Sequence, residues 1–365
     1  MKIKILLLSI LSLLVALQTC AQSKPIKVIG YFSGKADQVN EIPVEKLSQV
    51  IFSFCHLKAN RLQVDSQADS ITITKLVDLK KRNPELKVIL SLGGWGGCAP
   101  CSDVFSTKTG RTEFSKSVVH LSDQFHTDGI DLDWEYPSIE GYPGHAYKLA
   151  DRENFTELIK SLRKELGPLK DISFAAGGFK KFLEESVDWS AVMPLVDRVN
   201  MMTYDLVNGY STVTGHHTPL YSSDKTTEST DYAVQYLVKK GVPKNKLVIG
   251  AAFYARVWEN VPSAGNGLYQ PGKFKMGVNY KNFNMELLPE NGFQYFWDNT
   301  TQSPYMYNES KKLFATYDDK RSIQLKTKYA MDQGLQGIMF WELTLDNYAD
   351  GLLSEIDRTV KSNAK

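Results

Sequence analysis

The sequence predicts an α/β protein built on a (β/α)8 TIM barrel, with a small α+β insertion between strand 7 and strand 8 of the barrel. Short apolar runs alternate with amphipathic stretches along most of the chain, a pattern typical of strand–helix units in a parallel sheet. Eight such runs occur, and eight parallel strands with intervening helices can close into a barrel. The 365 residues are enough for one barrel and a small insertion.

The strand candidates are short runs rich in apolar, β-branched or aromatic residues, whereas the helix candidates repeat apolar residues with a helical period. The predicted strands lie at 27–32, 49–54, 87–92, 129–134, 172–176, 198–203, 247–253 and 337–341. The predicted helices lie at 71–81, 111–126, 152–166, 229–240, 322–333 and 348–361.

The spacing between the last two predicted strands breaks this rhythm. Strand 7 ends near Tyr254 and strand 8 starts near Gly337, so the segment between them is far longer than one helix with its loops requires. Residues 258–313 are rich in Gly, Asn, Tyr, Phe and Pro, and their aromatic content argues against a disordered lid. We therefore expect a small α+β domain at 258–313, inserted into a barrel that occupies 22–365.

The first residues read as a targeting segment. Two lysines precede an apolar run at 5–17 that is too short to span a bilayer, and small residues around Cys20 allow cleavage after Ala21. Residues 1–21 are thus predicted to be a signal peptide that sends the protein to the periplasm or out of the cell. Lipidation at Cys20 ranks second, because the residues before it match a lipoprotein box poorly.

Three cysteines remain after that cleavage. Cys98 and Cys101 lie in a Gly-rich stretch and could close a small disulfide in an oxidising compartment. A redox motif would normally open a helix, and two cysteine ligands without a second pair make a weak zinc site. We therefore favour a structural disulfide. Cys55 lies in an apolar run and reads as a core thiol.

The charge balance limits the classes of partner. Lysine and arginine number 43 against 41 acidic residues, and this net charge of +2 gives no electrostatic case for binding nucleic acid. Beyond the N-terminal run, no apolar run is long enough to predict a membrane span. No amphipathic helix is in surplus, so a monomer is expected.

The most informative segment is 128–137, which holds four acids in its first eight positions. On a strand, Asp131, Asp133 and Glu135 share one face, while the apolar spacers share the other. Three carboxylates on one side of a buried strand are unfavourable, because like charges crowd a desolvated site. Such groupings occur where a carboxyl group must hold its proton, so we predict acid–base chemistry with Glu135 as the acid. The apolar spacers argue against a solvated turn and against a calcium loop.

The spacing of these acids resembles the Asp-x-x-Asp-x-Asp-x-Glu signature of glycoside hydrolase family 18, and the Trp-Glu-Tyr-Pro ending at 134–137 is similar to its chitinases. The similarity extends from Tyr31 to Trp341. It implies a barrel whose insertion forms one wall of the substrate cleft. It also implies hydrolysis with retained configuration, in which the substrate assists and no metal or organic cofactor takes part.

The resemblance further implies a role for each acid. Glu135 would protonate the glycosidic oxygen while the 2-acetamido carbonyl of the substrate attacks the anomeric carbon and forms an oxazolinium ion. Asp133 would bond the acetamido N–H, and Tyr204 would hold the acetamido oxygen. Asp131 would share a proton with Asp133, and Asp128 would support the strand.

Other residues at the predicted strand ends match the family or offer aromatic faces that can stack on a pyranose. The predicted substrate-binding residues are Tyr31, Phe54, Trp95, Tyr136, Met202, Asp205, Arg256 and Trp341. In the family, the Trp at the position of Trp341 forms the floor of the subsite where the sugar is cleaved. Trp258 and Trp297 are weaker candidates for sugar platforms. Core packing is the alternative for the buried-looking aromatics, and a surface ion pair is the alternative for Arg256.

These observations predict a secreted chitinase that acts on β-1,4-linked N-acetylglucosamine polymers or oligomers. An endo-β-N-acetylglucosaminidase that trims glycoprotein glycans would use the same acids and is the alternative within the enzymes. A non-catalytic chitin-binding lectin on the same barrel is the alternative from another class. The presence of Asp131, Asp133, Glu135 and Tyr204 together disfavours the lectin.

Overall fold

The computed structural model describes residues 26–363. The predicted signal peptide at 1–21 and the alternative of lipidation at Cys20 lie outside the described residues. Within the described part of the chain, none of the helices combines the length and the apolarity that crossing a bilayer requires.

Most of the chain forms a barrel of parallel strands, and a second sheet is antiparallel. The strands are β1 (Lys27–Phe32), β2 (Gln49–Lys58), β3 (Arg61–Gln63), β4 (Lys87–Gly93), β5 (Gly129–Asp133), β6 (Asp171–Gly177), β7 (Arg198–Met202), β8 (Leu247–Ala252), β9 (Tyr254–Glu259), β10 (Lys273–Asn279), β11 (Gln294–Asp298), β12 (Ser303–Asn308), β13 (Leu313–Thr316) and β14 (Gly337–Trp341). The barrel order is β1-β14-β8-β7-β6-β5-β4-β2, and pairing of β1 with β2 closes it. The predicted (β/α)8 barrel is confirmed.

All eight predicted strands are present, most within one or two residues of the predicted bounds. The exception is β2, which continues to Lys58 rather than stopping at Phe54. Its last residues, His56 to Lys58, pair antiparallel with β3 in a short hairpin. The apolar pattern ends before this hairpin, and the pairing comes from backbone hydrogen bonds that a search for apolar runs does not detect.

The insertion between the seventh and eighth barrel strands is an antiparallel sheet in the order β10-β9-β13-β12-β11. It runs from Tyr254 to Thr316, which starts before and ends after the predicted 258–313. Phe253 alone separates β9 from barrel strand β8, so the sheet grows directly out of the barrel's rim. The sheet buries its own apolar residues, among them Val257, Val278 and Phe314, and so has a core of its own.

The helices pack outside the barrel strands, except for α8 (Phe283–Glu286), which lies in the insertion. They are α1 (Gln67–Asp78), α2 (Cys101–Phe105), α3 (Lys108–Phe125), α4 (Asp151–Leu166), α5 (Lys180–Glu185), α6 (Trp189–Val192), α7 (Thr230–Lys239), α8 (Phe283–Glu286), α9 (Lys320–Asp332) and α10 (Leu352–Asn363). All six predicted helices are present, and side-chain caps rather than the apolar period set the starts of several of them. Ser66 accepts the Asp69 N–H and starts α1 before the predicted 71, while Ser229 caps α7 instead of lying in it.

Two cysteines close the loop after β4. Cys98 and Cys101 form a disulfide with their Cα atoms 5.2 Å apart, and both side chains are buried. The expectation that this pair lies away from a helix is wrong in one respect, because Cys101 is the first residue of the short helix α2. Cys55 is fully buried, as expected of a core thiol.

Candidate active site

A cleft of about 1210 Å³ opens at the carboxyl ends of the barrel strands. Strands β5, β7 and β14 and the loops after β4 and β6 form its floor and one side, and β9 and β10 of the insertion contribute the other side. Ten of the twelve predicted site residues line it: Phe54, Trp95, Asp133, Glu135, Tyr136, Met202, Tyr204, Asp205, Arg256 and Trp341. The other two, Tyr31 and Asp131, lie beneath it in the barrel interior.

The alternation in β5 separates acids from apolar residues. Ile130, Leu132 and Trp134 belong to the large core between the strands and the helices. Asp131 and Asp133 point the other way, into the barrel, because side chains alternate across a strand. The strand therefore carries a row of carboxyl groups that runs up the barrel interior and ends in the cleft with Glu135.

Asp131 is held at the bottom of this row. Its carboxylate accepts four hydrogen bonds, from the Tyr31 hydroxyl at 3.0 Å, the Ser91 hydroxyl at 3.1 Å, the Ser173 hydroxyl at 2.6 Å and the Asn200 amide at 3.0 Å. Burial raises the pKa of Asp131, and the hydrogen bonds from Ser173, Tyr31 and Ser91 oppose that rise. Asp133 is not among the four donors, so the shared proton expected for the two aspartates stays a prediction.

Asp133 and Glu135 form the upper part of the row. Asp133 is 4% exposed, and its Oδ1 atom has no hydrogen-bond partner among residues 26–363. Burial, followed by the charges of Glu135 and Asp131, raises the pKa of Asp133 well above its ordinary value. Burial also raises the pKa of Glu135 to about 7; a hydrogen bond with Tyr136 opposes the rise and the charge of Asp205 adds to it. Glu135 can therefore hold a proton close to neutral pH.

Tyr204 follows β7 and points its ring into the barrel mouth. The side chain is 9% exposed, and its hydroxyl lies 3.9 Å from the sulfur of Met339, which is a weak acceptor. The ring also packs edge-on against Tyr254. The hydroxyl thus keeps most of its hydrogen-bonding capacity for a molecule in the cleft.

Asp205 joins the barrel to the insertion. It accepts hydrogen bonds from the Tyr254 hydroxyl at 2.9 Å and from Nε and Nη2 of Arg256 at 2.8 and 2.6 Å. Burial alone would raise the pKa of Asp205, but the neighbouring His217 ring, whose Nδ1 lies 3.4 Å from Oδ1, and the hydrogen-bonded Arg256 guanidinium outweigh it and hold the pKa well below its ordinary value. These bonds also hold Asp205 at a φ of 54°, which is uncommon for a non-glycine residue. Arg256 is therefore half of a partly buried ion pair.

Aromatic rings form the floor. Trp341 and Phe54 stack with centroids 5.6 Å apart and planes 14° apart, and Tyr31 packs under Trp341 at 5.8 Å. Gly94 makes room for this floor, because a Cβ atom there would lie 2.3 Å from the Phe54 ring. The glycine is thus required by the close approach of the ring.

Three aromatic residues predicted as sugar contacts lie elsewhere. Tyr31 is 1% exposed and does not line the cleft; it supports Asp131 and Trp341 from below. Trp258 is fully buried and donates its Nε1–H to the Ser211 carbonyl, so it is a core residue of the insertion. Trp297 lies outside the cleft, with the Arg321 guanidinium 3.7 Å from the centre of its ring. An aromatic residue type alone does not show whether the side chain lies in the cleft or is buried below it.

Several residues that line the cleft were not predicted from the sequence. Among them are Phe179, Lys181, Asn208, Tyr210, Glu228, Tyr254 and Phe274. Phe179 and Asn208 follow strands β6 and β7 closely, so a search of the residues just after each predicted strand would have found them. Phe274 reaches the cleft through the pairing of β10 with β9, and the sequence carries no signal for that pairing.

Asp128, at the start of β5, lies at the opposite end of the strand from the cleft. Its carboxylate accepts the Val88 backbone N–H at 2.7 Å and pairs with Lys80, also at 2.7 Å. These contacts tie β5 to its neighbour, as expected of a residue that supports the strand.

Comparisons with known proteins agree on one family. The family model described as Glycosyl hydrolases family 18 matches residues 27–346. Chitinase A1 of Niallia circulans is 34% identical over 297 residues, which are 75% of this chain and 42% of that protein. Chitinase B of Serratia marcescens is 29% identical over an alignment that covers 91% of this chain and 83% of that protein. The chain thus spans less than half of chitinase A1. Among solved structures, a glycoside hydrolase family 18 N-acetylglucosaminidase from Paenibacillus barengoltzii superposes with a TM-score of 0.83 at 34% identity, over 92% of this chain and 99% of that one.

Proposed function

The chain belongs to glycosyl hydrolases family 18, and from this premise we propose that it is a chitinase that hydrolyses β-1,4 linkages between N-acetylglucosamine units. One observation carries the proposal. Three polar groups lie together in one cleft over an aromatic floor. They are the Glu135 carboxyl group, which can hold a proton near neutral pH, the Asp133 Oδ1 atom, which has no hydrogen-bond partner among the described residues, and the Tyr204 hydroxyl, whose only hydrogen-bonding neighbour in the described residues is a weakly accepting sulfur.

In the proposed first step, Glu135 is the general acid. Its proton passes to the glycosidic oxygen as the bond from that oxygen to the anomeric carbon breaks. The pKa of about 7 supports this role, because about half of the acid is then protonated at neutral pH and most of it below neutral pH, while it remains a good donor.

The substrate supplies the nucleophile in this scheme. The carbonyl oxygen of the 2-acetamido group bonds to the anomeric carbon and gives an oxazolinium ion. Asp133 accepts the acetamido N–H through its unpartnered Oδ1 and offsets the positive charge, while the Tyr204 hydroxyl donates to the acetamido oxygen. Water then attacks the anomeric carbon, gives its proton to Glu135 and releases a product of retained configuration.

The rest of the cleft would position the sugar. The face of Trp341 stacks on the pyranose to be cleaved, with Phe54 behind it. Asp205 and Arg256 hold each other in place and present their remaining hydrogen-bonding capacity to the sugar hydroxyls. A pre-formed pair of this kind orients a ligand with little loss of side-chain entropy.

We also propose that the protein is exported, through cleavage after Ala21 or, as the alternative, through lipidation at Cys20. The buried disulfide between Cys98 and Cys101 supports an oxidising compartment. Mass spectrometry of the protein from its own host would distinguish a chain that starts at Gln22 from one that starts at a lipidated Cys20.

A second candidate is release of single sugars. The Paenibacillus barengoltzii structure, which this chain matches over nearly its full length, is that of an N-acetylglucosaminidase. That activity would use the same acids, and the two candidates differ in the length of the product.

The test is product analysis on N-acetylglucosamine hexamer, with wild type beside Glu135→Gln. We expect short β-anomeric products from wild type and almost none from the variant, which should still bind the hexamer. Dimers and trimers favour the chitinase, whereas monomers alone favour the N-acetylglucosaminidase. Wild type that binds without cleaving would refute both, and a high-mannose glycoprotein substrate would then separate a glycan-trimming enzyme from a lectin.

A further inference from the structure

A buried segment at 214–218 links the barrel to the insertion. Its four non-glycine residues are at most 2% exposed. On the insertion side, the Thr214 hydroxyl donates to the Gly267 carbonyl at 2.6 Å, and on the barrel side the Thr218 hydroxyl donates to the Thr203 carbonyl at 3.0 Å. The side chains of this segment are therefore fixed relative to both parts of the molecule.

Two adjacent histidines of this segment each face an aspartate. His216 Nε2 lies 3.0 Å from Asp298 Oδ2 of strand β11, and His217 Nδ1 lies 3.4 Å from Asp205 Oδ1. Asp205 lines the cleft, whereas Asp298 does not. The two histidines thus share residue type, burial and kind of partner, but only His217 faces a residue of the cleft.

The imidazole of His217 completes the surroundings of the Asp205 carboxylate. Arg256 donates to both carboxylate oxygens, the Tyr254 hydroxyl donates to Oδ2, and the imidazole lies beside Oδ1. The imidazole also packs against the Tyr254 ring, with centroids 5.4 Å apart. Loss of the imidazole would leave Arg256 as the sole hydrogen-bonding or ionic partner of Oδ1 among residues 26–363.

The backbone beside Asp205 is attached to the same histidine. The Leu206 N–H donates to the His217 carbonyl at 3.0 Å, and the His217 N–H donates to the Thr316 hydroxyl at 3.2 Å. Asp205 itself has a φ of 54°, a left-handed conformation that surrounding contacts must stabilise in a non-glycine residue. Both the main chain and the side chain of His217 therefore contact the part of the molecule that orients Asp205.

We infer that His217 is a positioning residue, which holds the Asp205 carboxylate in the orientation that contacts the sugar. The inference rests on the proposed function, because the sugar contact of Asp205 belongs to it. His217 is fully buried and does not line the cleft, so it acts through Asp205. Burial lowers the pKa of His217, so the ring is neutral at neutral pH and makes a polar contact rather than adding a second positive charge beside Arg256.

Side-chain variants separate this role from a purely structural one. His217→Leu fills much of the space of the ring without a polar atom, whereas His217→Asn places an amide nitrogen near the position of Nδ1. For His217→Leu we expect KM for the N-acetylglucosamine hexamer to rise about tenfold and kcat to stay within about threefold of wild type, because a contact that aids binding of substrate and transition state alike is lost. For His217→Asn we expect KM within about twofold of wild type.

Two further proteins serve as controls. His216→Leu changes the neighbouring histidine, which faces Asp298, and should leave KM unchanged even where it lowers thermal stability. In the Asp205→Asn background, His217→Leu should change KM no further, because residues that act as a unit are not additive. Should His217→Leu not fold, His217→Gln carries the same test, since its amide nitrogen reaches the position of Nε2 rather than Nδ1.

Crystal structures of wild type and His217→Leu give a readout that needs no ligand, and we expect the Asp205 carboxylate to shift relative to Arg256. An unmoved carboxylate would overturn the inference. So would a wild-type KM in His217→Leu, an equal rise in KM in His216→Leu, or a full additional rise in the Asp205→Asn background. If wild type fails to cleave the hexamer but the carboxylate moves in the variant, the positioning role stands and the proposed hydrolysis fails.

Discussion

Glu135 and Asp205 are carboxyl groups in the same cleft, yet their surroundings move their pKa values in opposite directions. Glu135 is partly buried, and burial raises its pKa to about 7. The same effect would raise the pKa of Asp205, which is also partly buried, but the neighbouring His217 and the hydrogen-bonded Arg256 keep that pKa well below the ordinary value. Environment rather than residue type thus makes Glu135 suited to proton transfer and Asp205 suited to holding a fixed charge.

The first prediction is a pH dependence. Because the acid form of Glu135 is required, kcat/KM on a soluble oligosaccharide should be high below its pKa and fall as the pH rises through about 7. A profile measured with the hexamer in buffers of constant ionic strength checks this. A rate that stays level well above that pH would mean that another group donates the proton.

The second prediction concerns the hydroxyl of Tyr204. Since its neighbour is the weakly accepting sulfur of Met339, Tyr204→Phe should change the free energy of unfolding by less than about 0.5 kcal/mol. The same change should lower kcat by about a hundredfold or more, because a donor to the developing oxazolinium ion is lost. Steady-state kinetics and thermal unfolding of the same samples test both parts. Wild-type kcat in the variant would remove Tyr204 from the mechanism.

At the scale of elements, a buried ion pair fastens the insertion and α9 to the barrel. Asp318 follows β13, and its carboxylate accepts from Lys326 of α9 at 2.7 Å and from the backbone N–H of Ala252 at 3.1 Å. Both charged side chains are almost fully buried. Thr218 also donates to Asp318 and to the Thr203 carbonyl, which immediately precedes Tyr204. The pair therefore lies under the segment that carries two cleft residues.

The third prediction is the energetic cost of breaking this pair. Lys326→Met leaves the Asp318 charge buried without its cation, so the free energy of unfolding should fall by about 3–5 kcal/mol. The double variant Lys326→Met/Asp318→Asn should recover part of that loss, because the uncompensated charge is removed. Urea unfolding measures all three proteins. A single variant as stable as wild type would show that the pair contributes little.

The barrel strands can be predicted from the sequence, whereas short helices and pairings between distant strands cannot. Apolar runs located all eight barrel strands, because each is buried on both faces and needs no partner to be recognised. Helices such as α5 and α6 are too short to show a period and were not predicted. In the site, the acids of β5 were found because their spacing is local. Phe274 was not predicted, because its place in the cleft depends on the pairing of β10 with β9. Tyr31 was predicted to contact substrate but lies beneath the cleft, because residue type does not show how deeply a side chain is buried.

At the scale of the whole molecule, the cleft is composite. The barrel supplies the acids and the aromatic floor, whereas the insertion supplies Arg256, Tyr254 and Phe274 to the opposite wall. In the proposed mechanism, specificity therefore has two sources: the wall that the insertion adds to the cleft, and a centre that needs an acetamido group.

The fourth prediction follows from that requirement. Hexamers of glucose and of glucosamine should be cleaved more than about a thousandfold more slowly than the hexamer of N-acetylglucosamine, because they lack the internal nucleophile. Initial rates at equal concentration, with product separation by chromatography, give the comparison. Efficient hydrolysis of the glucose hexamer would contradict substrate assistance.

In the proposed mechanism, the acetamido group of the substrate, rather than an enzyme carboxylate, attacks the anomeric carbon. The most direct test is the inhibition constant of a thiazoline analogue of the oxazolinium ion, measured beside that of the N-acetylglucosamine dimer. Competitive inhibition at least about a hundredfold tighter than that of the dimer is expected, with Asp133→Asn losing most of that advantage. Equal inhibition by the two compounds would contradict the mechanism and point to a nucleophile from the protein.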